Sequence, residues 1–346
     1  MKHLIDSAAQ LNKDEFITLL QNRTPRDAAY AAQKARALTD EVFGREVYMR
    51  GLIEVSSICK NDCFYCGIRR SNRHAQRYRL NKEQILACCE AGYRAGFRTF
   101  VLQGGEDSYY TDEVLTDIVS AVRRRYPDCA ITLSMGERSG ESYRRLYEAG
   151  ANRYLLRHET ALPAHYAKLH PAGMDFDNRM ACLHALKSIG YQTGCGMMVG
   201  SPYQTAEALA EDLLFIRSFR PHMVGMGPFI PHRDTPFAGE KTGSVELTLF
   251  LISLVRLMLP KALIPATTAL QTLLPEGRIL GLNAGANVIM PNLTPEEDRA
   301  KYSLYDNKEN AFSDAAGQLK RIETELSEHG YILSRSRGDY DETKNT

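Results

Sequence analysis

The sequence predicts an α/β fold: a complete (β/α)8 barrel of the TIM type with an N-terminal helical extension. Three observations predict it. From residue 47 onward short strand-like segments alternate strictly with amphipathic helical ones, eight such segments precede residue 310, and a polar or Gly-rich stretch follows each. Strands joined by crossover helices run parallel, and eight of them close a barrel without exposed edges. An open doubly wound sheet is the alternative; it too gathers a site at the carboxyl ends of the strands.

Residues 1–46 read as helices: Asp14 to Gln21 carries Phe16, Ile17, Leu19 and Leu20, and the Ala-rich run Pro25 to Phe43 has no strand signature. The barrel region, 47–310, opens with strand Val47 to Ser56, which leads into a cysteine-rich loop. Asn81 and Gln84 form a capping-box pair that opens helix Lys82 to Ala95, and strand Arg98 to Gln103 follows. The alternation continues as helix Asp112 to Arg125, strand Ala130 to Met135, helix Glu141 to Ala149 and strand Arg153 to Arg157. Then come helix Asp177 to Ile189, strand Gln192 to Val199, helix Thr205 to Phe219 and strand Met223 to Gly227. Helix Val245 to Leu259, strand Leu263 to Thr268, helix Glu276 to Leu282 and strand Ala286 to Met290 complete it. The third segment, 311–346, reads as an amphipathic helix, Ala315 to His329, and a charged tail from Ser334 that is expected to fray.

The 346 residues are 44% hydrophobic and 25% charged, the composition of a globular protein with a large core. With 43 basic and 42 acidic residues the net charge is +1, so no footprint for nucleic acid or an anionic membrane stands out. Charge interrupts the amino terminus before any signal-peptide core. The longest apolar stretch, Leu247 to Leu259, carries Arg256 and is too short to span a bilayer. A cytoplasmic location is expected, where eight cysteines do not make a disulfide framework. Cys88, Cys89, Cys129, Cys182 and Cys195 read as small buried hydrophobes.

The remaining three, Cys59, Cys63 and Cys66, stand at spacing C-x3-C-x2-C. Three thiols suit three irons of a 4Fe-4S cube and leave the fourth iron free to bind a substrate. A structural zinc site normally takes four protein ligands, and the only nearby fourth is His74, in a basic segment. Phe64 and Tyr65 between the second and third thiols suit a shielded cluster or a stacked planar ring.

The other strand ends carry the polar candidates. Gly104-Gly105-Glu106 follows the second strand, where absent Cβ atoms let backbone approach a ligand closely, or simply make a tight turn. Ser134 ends the third strand. Arg157 and Glu159 flank His158 at the end of the fourth, where buried charge requires a partner, either each other or a ligand. Arg179 opens the next helix against its dipole, which suits a specific anion such as a carboxylate, although a solvated surface arginine is common. Met197, Met198, Met223, Met226 and Met290 read by default as core filler. Interleaved Gly194, Gly196, Gly225 and Gly227 nevertheless suggest a bore empty enough for a substrate, with His232, Thr267, Thr268, Tyr302 and Tyr305 supplying hydrogen bonds around it.

The cysteine motif, with its aromatic before the last Cys, resembles that of the radical S-adenosylmethionine (SAM) superfamily, in which the methionyl amine and carboxylate fill the open iron position. Within it the chain resembles the branch of FeFe-hydrogenase maturases called HydE, related to biotin synthase and methylornithine synthase, from about Val47 to Tyr305. The segments carrying that closer resemblance are 153–160, RYLLRHET; 227–232, GPFIPH; 264–268, IPATT; and 285–292, GANVIMPN. The resemblance implies that Cys59, Cys63 and Cys66 ligate one 4Fe-4S cluster. It implies that Tyr65, Gly104, Gly105, Glu106, Ser134, Glu159, Arg179 and Met198 hold SAM, and that Arg157, Met223, His232, Thr267, Thr268, Met290, Tyr302 and Tyr305 face the substrate.

The implied reaction is reductive cleavage of SAM to methionine and a 5′-deoxyadenosyl radical, which acts on a small iron- or sulfur-containing precursor during assembly of the hydrogenase diiron centre. Other maturases and an electron donor are the implied partners. Isomerisation as in methylornithine synthase, or sulfur insertion as in biotin synthase, would use the same radical. Some members carry a second cluster on three cysteines near the carboxyl terminus; no cysteine follows Cys195 here, so none is expected. In a different class, a zinc or iron-sulfur module that only carries metal or electrons would share the cysteine motif.

Overall fold

A computed structural model describes residues 1–308 and 315–344. The expected boundary at residues 310 and 311 lies outside the described residues. In chain order the elements are α1 (Lys2–Asp6), α2 (Lys13–Asn22), α3 (Pro25–Phe43), β1 (Glu46–Met49), β2 (Gly51–Ser56), α4 (Lys82–Arg94), β3 (Thr99–Gly104), α5 (Asp112–Arg125), β4 (Ala130–Ser134), α6 (Gly140–Glu148), β5 (Arg153–Leu155), α7 (Pro163–Leu169) and α8 (Phe176–Ile189). They continue with β6 (Gln192–Val199), α9 (Ala206–Phe219), β7 (Met223–Pro228), α10 (Val245–Met258), α11 (Thr268–Leu273), α12 (Gly277–Asn283), β8 (Val288–Ile289), α13 (Glu296–Arg299), α14 (Ala315–Glu328) and β9 (Ile332–Ser334). The helix starts follow local chemistry: Asn12, Thr24 and Asn81 each close a full capping box. Among the described residues no helix is long and apolar enough to cross a membrane.

Six strands pair continuously and in parallel, in the order β2-β3-β4-β5-β6-β7. A second sheet, β8-β1-β9, is also parallel. Isolated parallel bridges join Met223 to Leu263, Pro265 to Val288 and Leu52 to Asn292. The strand expected from Val47 to Ser56 is therefore two: Tyr48 and Met49 pair with β8, whereas Gly51 onward pairs with β3. The expected strand Leu263 to Thr268 reduces to bridges, because Pro265 has no N–H to add to a ladder and Thr268 already begins α11. Helices α7, α11 and α13 and strand β9 were not foreseen.

Strand alternation sorts the side chains. Ile53, Val55, Phe100, Leu102, Ile131 and Leu133 join the core packed under the helices, so the alternate residues Glu54, Gln103 and Ser134 face the other side of the sheet. Met197 and Met226 lie in the same helix-side core, as filler. Gly194, Gly196, Gly225 and Gly227 share the opposite face of β6 and β7, in register. A Cβ on Gly196 would stand 1.9 Å from the Gly225 carbonyl oxygen, so the two strands approach there as only glycine permits.

The terminal segments are packed rather than appended. Lys13 pairs with Glu207 and Glu211 of α9 at 2.7 and 2.8 Å, and Arg217 of α9 donates to the Leu11 carbonyl at 2.6 Å. The tail expected to fray contributes Ser334 to β9, paired with β1. Beyond it, the Arg337 carbonyl accepts from Thr99 Oγ1 at 2.8 Å and Asp339 pairs with Arg153 at 2.7 Å. Sequence reasoning missed this because charge along the tail reads as solvation until the buried arginine it serves is known.

Candidate active site

The cysteine loop begins where β2 ends, and a few polar anchors hold it there. Ser56 Oγ donates to Asp107 at 2.7 Å and accepts from the Ile58 amide at 3.0 Å. The chain returns at Arg79, in an antiparallel bridge to Ser56, and the Arg79 guanidinium grips the same Asp107 at 2.7 and 2.6 Å. Inside the loop Asp62 accepts from Arg69, the Ser71 amide and the Ser71 hydroxyl at 2.8, 3.0 and 2.7 Å. Arg77 donates to four carbonyls, those of Ser57, Ile68, Arg69 and Asn72. Sequence reasoning missed Asp62, Arg77 and Asp107; the density of arginine between residues 69 and 79 was the available signal, but it does not say that they bind their own backbone.

All three thiols are half-buried. Burial pushes the Cys66 thiol up to about 12, with the charges of Cys59 and Glu159 adding to the effect. Burial likewise raises Cys63, with Cys66 and Cys59 next in importance, so the three feel one another. Cys59 Sγ accepts from the Glu106 amide at 3.4 Å.

Gly105 is explained by that contact. A Cβ there would stand 2.3 Å from the Ile58 carbonyl oxygen and 2.7 Å from Cys59 Cβ, so the Gly-Gly turn packs on the cysteine loop itself. Glu106 turns its carboxylate to the next strand end, accepting from the Glu137 amide at 3.0 Å and pairing with Lys60 at 3.1 Å. Ser134 closes β4 opposite Gln103.

Glu159 is held in left-handed backbone, φ 65°, a conformation that a non-glycine residue keeps only when its surroundings impose it. Its amide donates to the Gly196 carbonyl at 3.0 Å. Arg157 Nη2 and Glu159 Oε2 are 3.0 Å apart, yet among the described residues neither makes a properly directed hydrogen bond, and Arg157 Nε is also without one. The ion pair offered as the bland reading is present, and it leaves both partners with bonding capacity to spare. Arg179 is buried, donates to the Arg157 carbonyl at 2.7 Å and is bound through Nε to Glu137. Behind them His158 Nδ1 accepts from the Gly196 amide at 3.2 Å, which leaves the proton on Nε2, 3.3 Å from buried Asp212. Glu137 and Asp212 were also missed by sequence reasoning.

Tyr65 donates its hydroxyl to His170 Nε2 at 3.1 Å, because His170 Nδ1 donates to the Tyr166 carbonyl at 3.0 Å. Met198 packs with Leu169, Phe229 and Phe237, against which Phe64 and Tyr65 lie. The structure therefore brings together Cys59, Cys63, Cys66, Tyr65, Gly105, Glu106, Glu159, Arg179 and Met198. Buried Tyr302 joins them, its hydroxyl accepting from Gln103 at 3.5 Å and lying close enough to Cys66 and Cys59 to feel their charge.

The expected substrate residues divide. Thr268 and Met290 line a cavity of about 360 Å³ with Glu54, Asn292 and Lys308. Glu54 and Lys308 form a buried ion pair, with Asn292 donating to Glu54 at 2.9 Å. Neither charge was singled out, although one Glu in an otherwise apolar strand was a usable signal. Thr267 Oγ1 is buried without a hydrogen bond among the described residues, where a Cβ on Gly227 would come within 2.8 Å. Tyr305 lies on the segment after α13, half-buried. Met223 is elsewhere: it opens β7 at the amino end, packed with Val42, Phe43 and Tyr48. His232 lies over Gly67 and borders a separate cavity of about 210 Å³ with Asn72 and His74.

Parallel strands, a three-cysteine loop at the end of the first and carboxylates and guanidiniums at the ends of the next define a class. Residues 53–216 match the radical SAM superfamily. The chain belongs to that superfamily and is a radical SAM enzyme; a 4Fe-4S cluster and SAM are what the family implies. It is 49% identical over 275 residues, 78% of each chain, to the [FeFe] hydrogenase maturase subunit HydE of Thermotoga maritima. It is 31% identical over 320 residues to 3-methylornithine synthase of Methanosarcina barkeri, covering 91% of this chain and 89% of that one. A solved methylornithine synthase, PylB, superposes with a TM-score of 0.83 at 29% identity, over 96% of both chains.

Proposed function

We propose that the protein acts in maturation of the FeFe-hydrogenase active site, with one 4Fe-4S cluster on Cys59, Cys63 and Cys66 and SAM bound beside it. The observation that carries the reading is the Arg157–Glu159 pair. Glu159 is buried and held in left-handed backbone, and Arg157 beside it is half-buried. Their facing atoms make no directed hydrogen bond among the described residues, and the carboxylate's charge adds to burial in raising Cys66 and Tyr65. A zwitterionic ligand seated over the thiol loop would satisfy it. The three thiols fit a cube, which takes one thiolate on each of three irons. No single position with three His, Cys, Asp or Glu ligands occurs among the described residues, and a cube does not call for one.

A cluster of this family, when bound, supplies the single electron that cleaves SAM to methionine and a 5′-deoxyadenosyl radical. The chain's own residues bind and orient. Glu106 and Glu159 offer carboxylates to the methionyl amine, Arg157 and Arg179 offer guanidiniums to its carboxylate, and Phe64, Tyr65 and Met198 wall the adenine. We read the bridges at Leu263, Pro265 and Asn292 as completing the ring of strands. The inward glycines of β6 and β7 then leave a bore for the substrate, which excludes water from the radical. Thr267 meets the substrate with its unsatisfied hydroxyl, beside Thr268 and Met290. The substrate class is a small iron- or sulfur-containing precursor, supplied and received by other maturases in the cytoplasm.

Anaerobic reconstitution followed by a SAM-cleavage assay tests the reading. The wild-type protein should release 5′-deoxyadenosine and Cys63→Ser should release none; cleavage by the variant would end the mechanism. Conversion of lysine to methylornithine would replace the maturase assignment by the isomerase one. Identity of 49% to the maturase against 31% to the synthase favours the former.

A further inference from the structure

Arg77 closes the neck of the cysteine loop. Its Nη1 donates to the carbonyls of Ser57 at 2.5 Å and Ile68 at 2.7 Å, and its Nη2 to those of Arg69 at 2.6 Å and Asn72 at 3.1 Å. Ser57 stands two residues before Cys59 and Ile68 two after Cys66, so one planar fork joins the entry of the loop to its exit. The returning chain holds the same neck independently of that fork: Ser57 Oγ donates to the Gln76 carbonyl at 3.0 Å and accepts from the Tyr78 amide at 2.9 Å. The acceptors that Arg77 meets are all neutral. Other bases around the thiols are matched by acids: Lys60 by Glu106, Arg69 by Asp62, Arg79 by Asp107, Arg157 by Glu159 and Arg179 by Glu137. Arg70 and Arg73 are exposed. Half-buried Arg77 makes no ion pair among the described residues, so a positive charge is left over at the base of the loop. The sulfurs feel it: burial raises the Cys59 and Cys66 thiols, and the Arg77 charge works against burial at both.

We propose that Arg77 is a positioning residue for the cluster that also sets its reduction potential: the fork fixes Cys59 relative to Cys66, and the unmatched charge favours the reduced state. This rests on the cluster assignment above. Net charge beside a cluster is one of the settings of its potential, and reduction adds a negative charge that a fixed guanidinium stabilises. The electron comes from a low-potential one-electron reductant, which is oxidised by one as the cluster is reduced by one, and no bond or proton moves. Charge is the means rather than hydrogen bonding to sulfur, because both Nη groups are taken up by carbonyls.

The test is a dithionite titration of the anaerobically reconstituted protein without SAM, with the reduced cluster followed by electron paramagnetic resonance. Arg77→Gln should lower the constant for one-electron reduction about tenfold, a shift of about 59 mV, the order expected of one partly screened unit charge. Arg77→Lys keeps the charge and gives up the fork, so its potential should stay near the wild-type value while a chelator removes its iron faster. Arg77→His decides the matter if the glutamine variant takes up no cluster. Its potential should rise relative to wild type as pH falls from about 8 to about 6, because the imidazole gains its proton in that range. A glutamine variant with the wild-type potential, a lysine variant as low as the glutamine one, or a histidine variant that runs parallel to wild type would overturn the proposal. Absence of a 4Fe-4S spectrum from reconstituted wild type would overturn the cluster assignment and this inference together. A normal spectrum with unmoved potentials would remove this inference alone.

Discussion

Two arginines flank strand β5, and they are treated in opposite ways. Arg153, at the amino end, is fully buried and bonded through all three of its nitrogens: to Gln192 at 3.1 Å, Thr99 at 3.2 Å, the Arg337 carbonyl at 2.9 Å and Asp339 at 2.7 Å. Arg157, four residues on at the carboxyl end, is half-buried and among the described residues leaves its buried Nε and Nη2 without directed partners, as does the Oε2 of buried Glu159 beside it. A buried charge is tolerated when its bonds are made and is costly when they are not. The first arginine therefore reads as structure. The second is a cost that a ligand would remove. Arg50 shows that the end of the sheet alone does not decide, since it is buried, feels the charges of Arg153 and Asp339, and among the described residues hydrogen-bonds only the Met223 sulfur, at 2.9 Å.

Removing the satisfied arginine should show most in stability. Arg153→Met is expected to cost about 3 kcal/mol in urea unfolding, the low end for breaking a buried pair because Asp339 remains partly exposed. It should also make the segment beyond β9 sensitive to protease, while SAM affinity stays at the wild-type value. A stable variant that loses SAM affinity would erase the distinction between the two arginines.

His170 is a satisfied residue at the carboxyl end, and it extends the comparison to pH. Burial lowers its pKa from 6.5 to about 4, against the opposing bond to the Tyr166 carbonyl. A base whose folded value lies below its unfolded value contributes fully above the unfolded pKa and less as pH falls towards the folded one. The stability advantage of wild type over His170→Phe should thus be constant above pH 7.5 and shrink by roughly 2 kcal/mol by pH 5. An advantage independent of pH would mean that His170 is not held neutral.

The unsatisfied pair should respond in binding. Glu159→Gln keeps the shape and removes the charge, so SAM affinity of the reconstituted protein should fall about tenfold, near 1.4 kcal/mol, with the unfolding midpoint unchanged or raised. Equal SAM affinity would return the pair to the bland reading, an internal ion pair and nothing more.

The sequence showed the parallel architecture and the strand ends because both are periodic or local signals. Hydrophobic alternation marked β2 to β7, and spacing marked the thiols. What it did not show was partnership across the chain. Asp339 serves Arg153 from 186 positions away, and Lys308 serves Glu54 from 254. No local pattern announces such pairs, so the tail looked solvated and the buried Glu54 went unnoticed. Met223 was misplaced although the expected strand, Met223 to Gly227, already put it first, at the end away from the site, because it was read by residue type rather than by its place in the strand. Asp107 and Asp62 were missed because an acid beside arginines looks like ordinary surface charge until the bonds are seen.

The smallest expected effect tests how Glu159 is held. His158 accepts the Gly196 amide on Nδ1 and holds Nε2 3.3 Å from Asp212 Oδ1 without a directed hydrogen bond among the described residues; that Oδ1 accepts from the Ala161 amide at 2.5 Å. Gly196 in turn accepts the Glu159 amide, so the chain from Asp212 to Glu159 fixes the left-handed turn from behind. Asp212→Asn leaves an acceptor for Ala161 but places a second donor against His158, which frees the imidazole to turn. SAM affinity should then weaken about threefold, within the range for one neutral hydrogen bond acting at a distance. Glu159→Gln made on top of it should add less than it does alone, because the carboxylate is already displaced. Full additivity of the two, or a lower unfolding midpoint with unchanged SAM affinity, would make Asp212 a support of the fold rather than of the site.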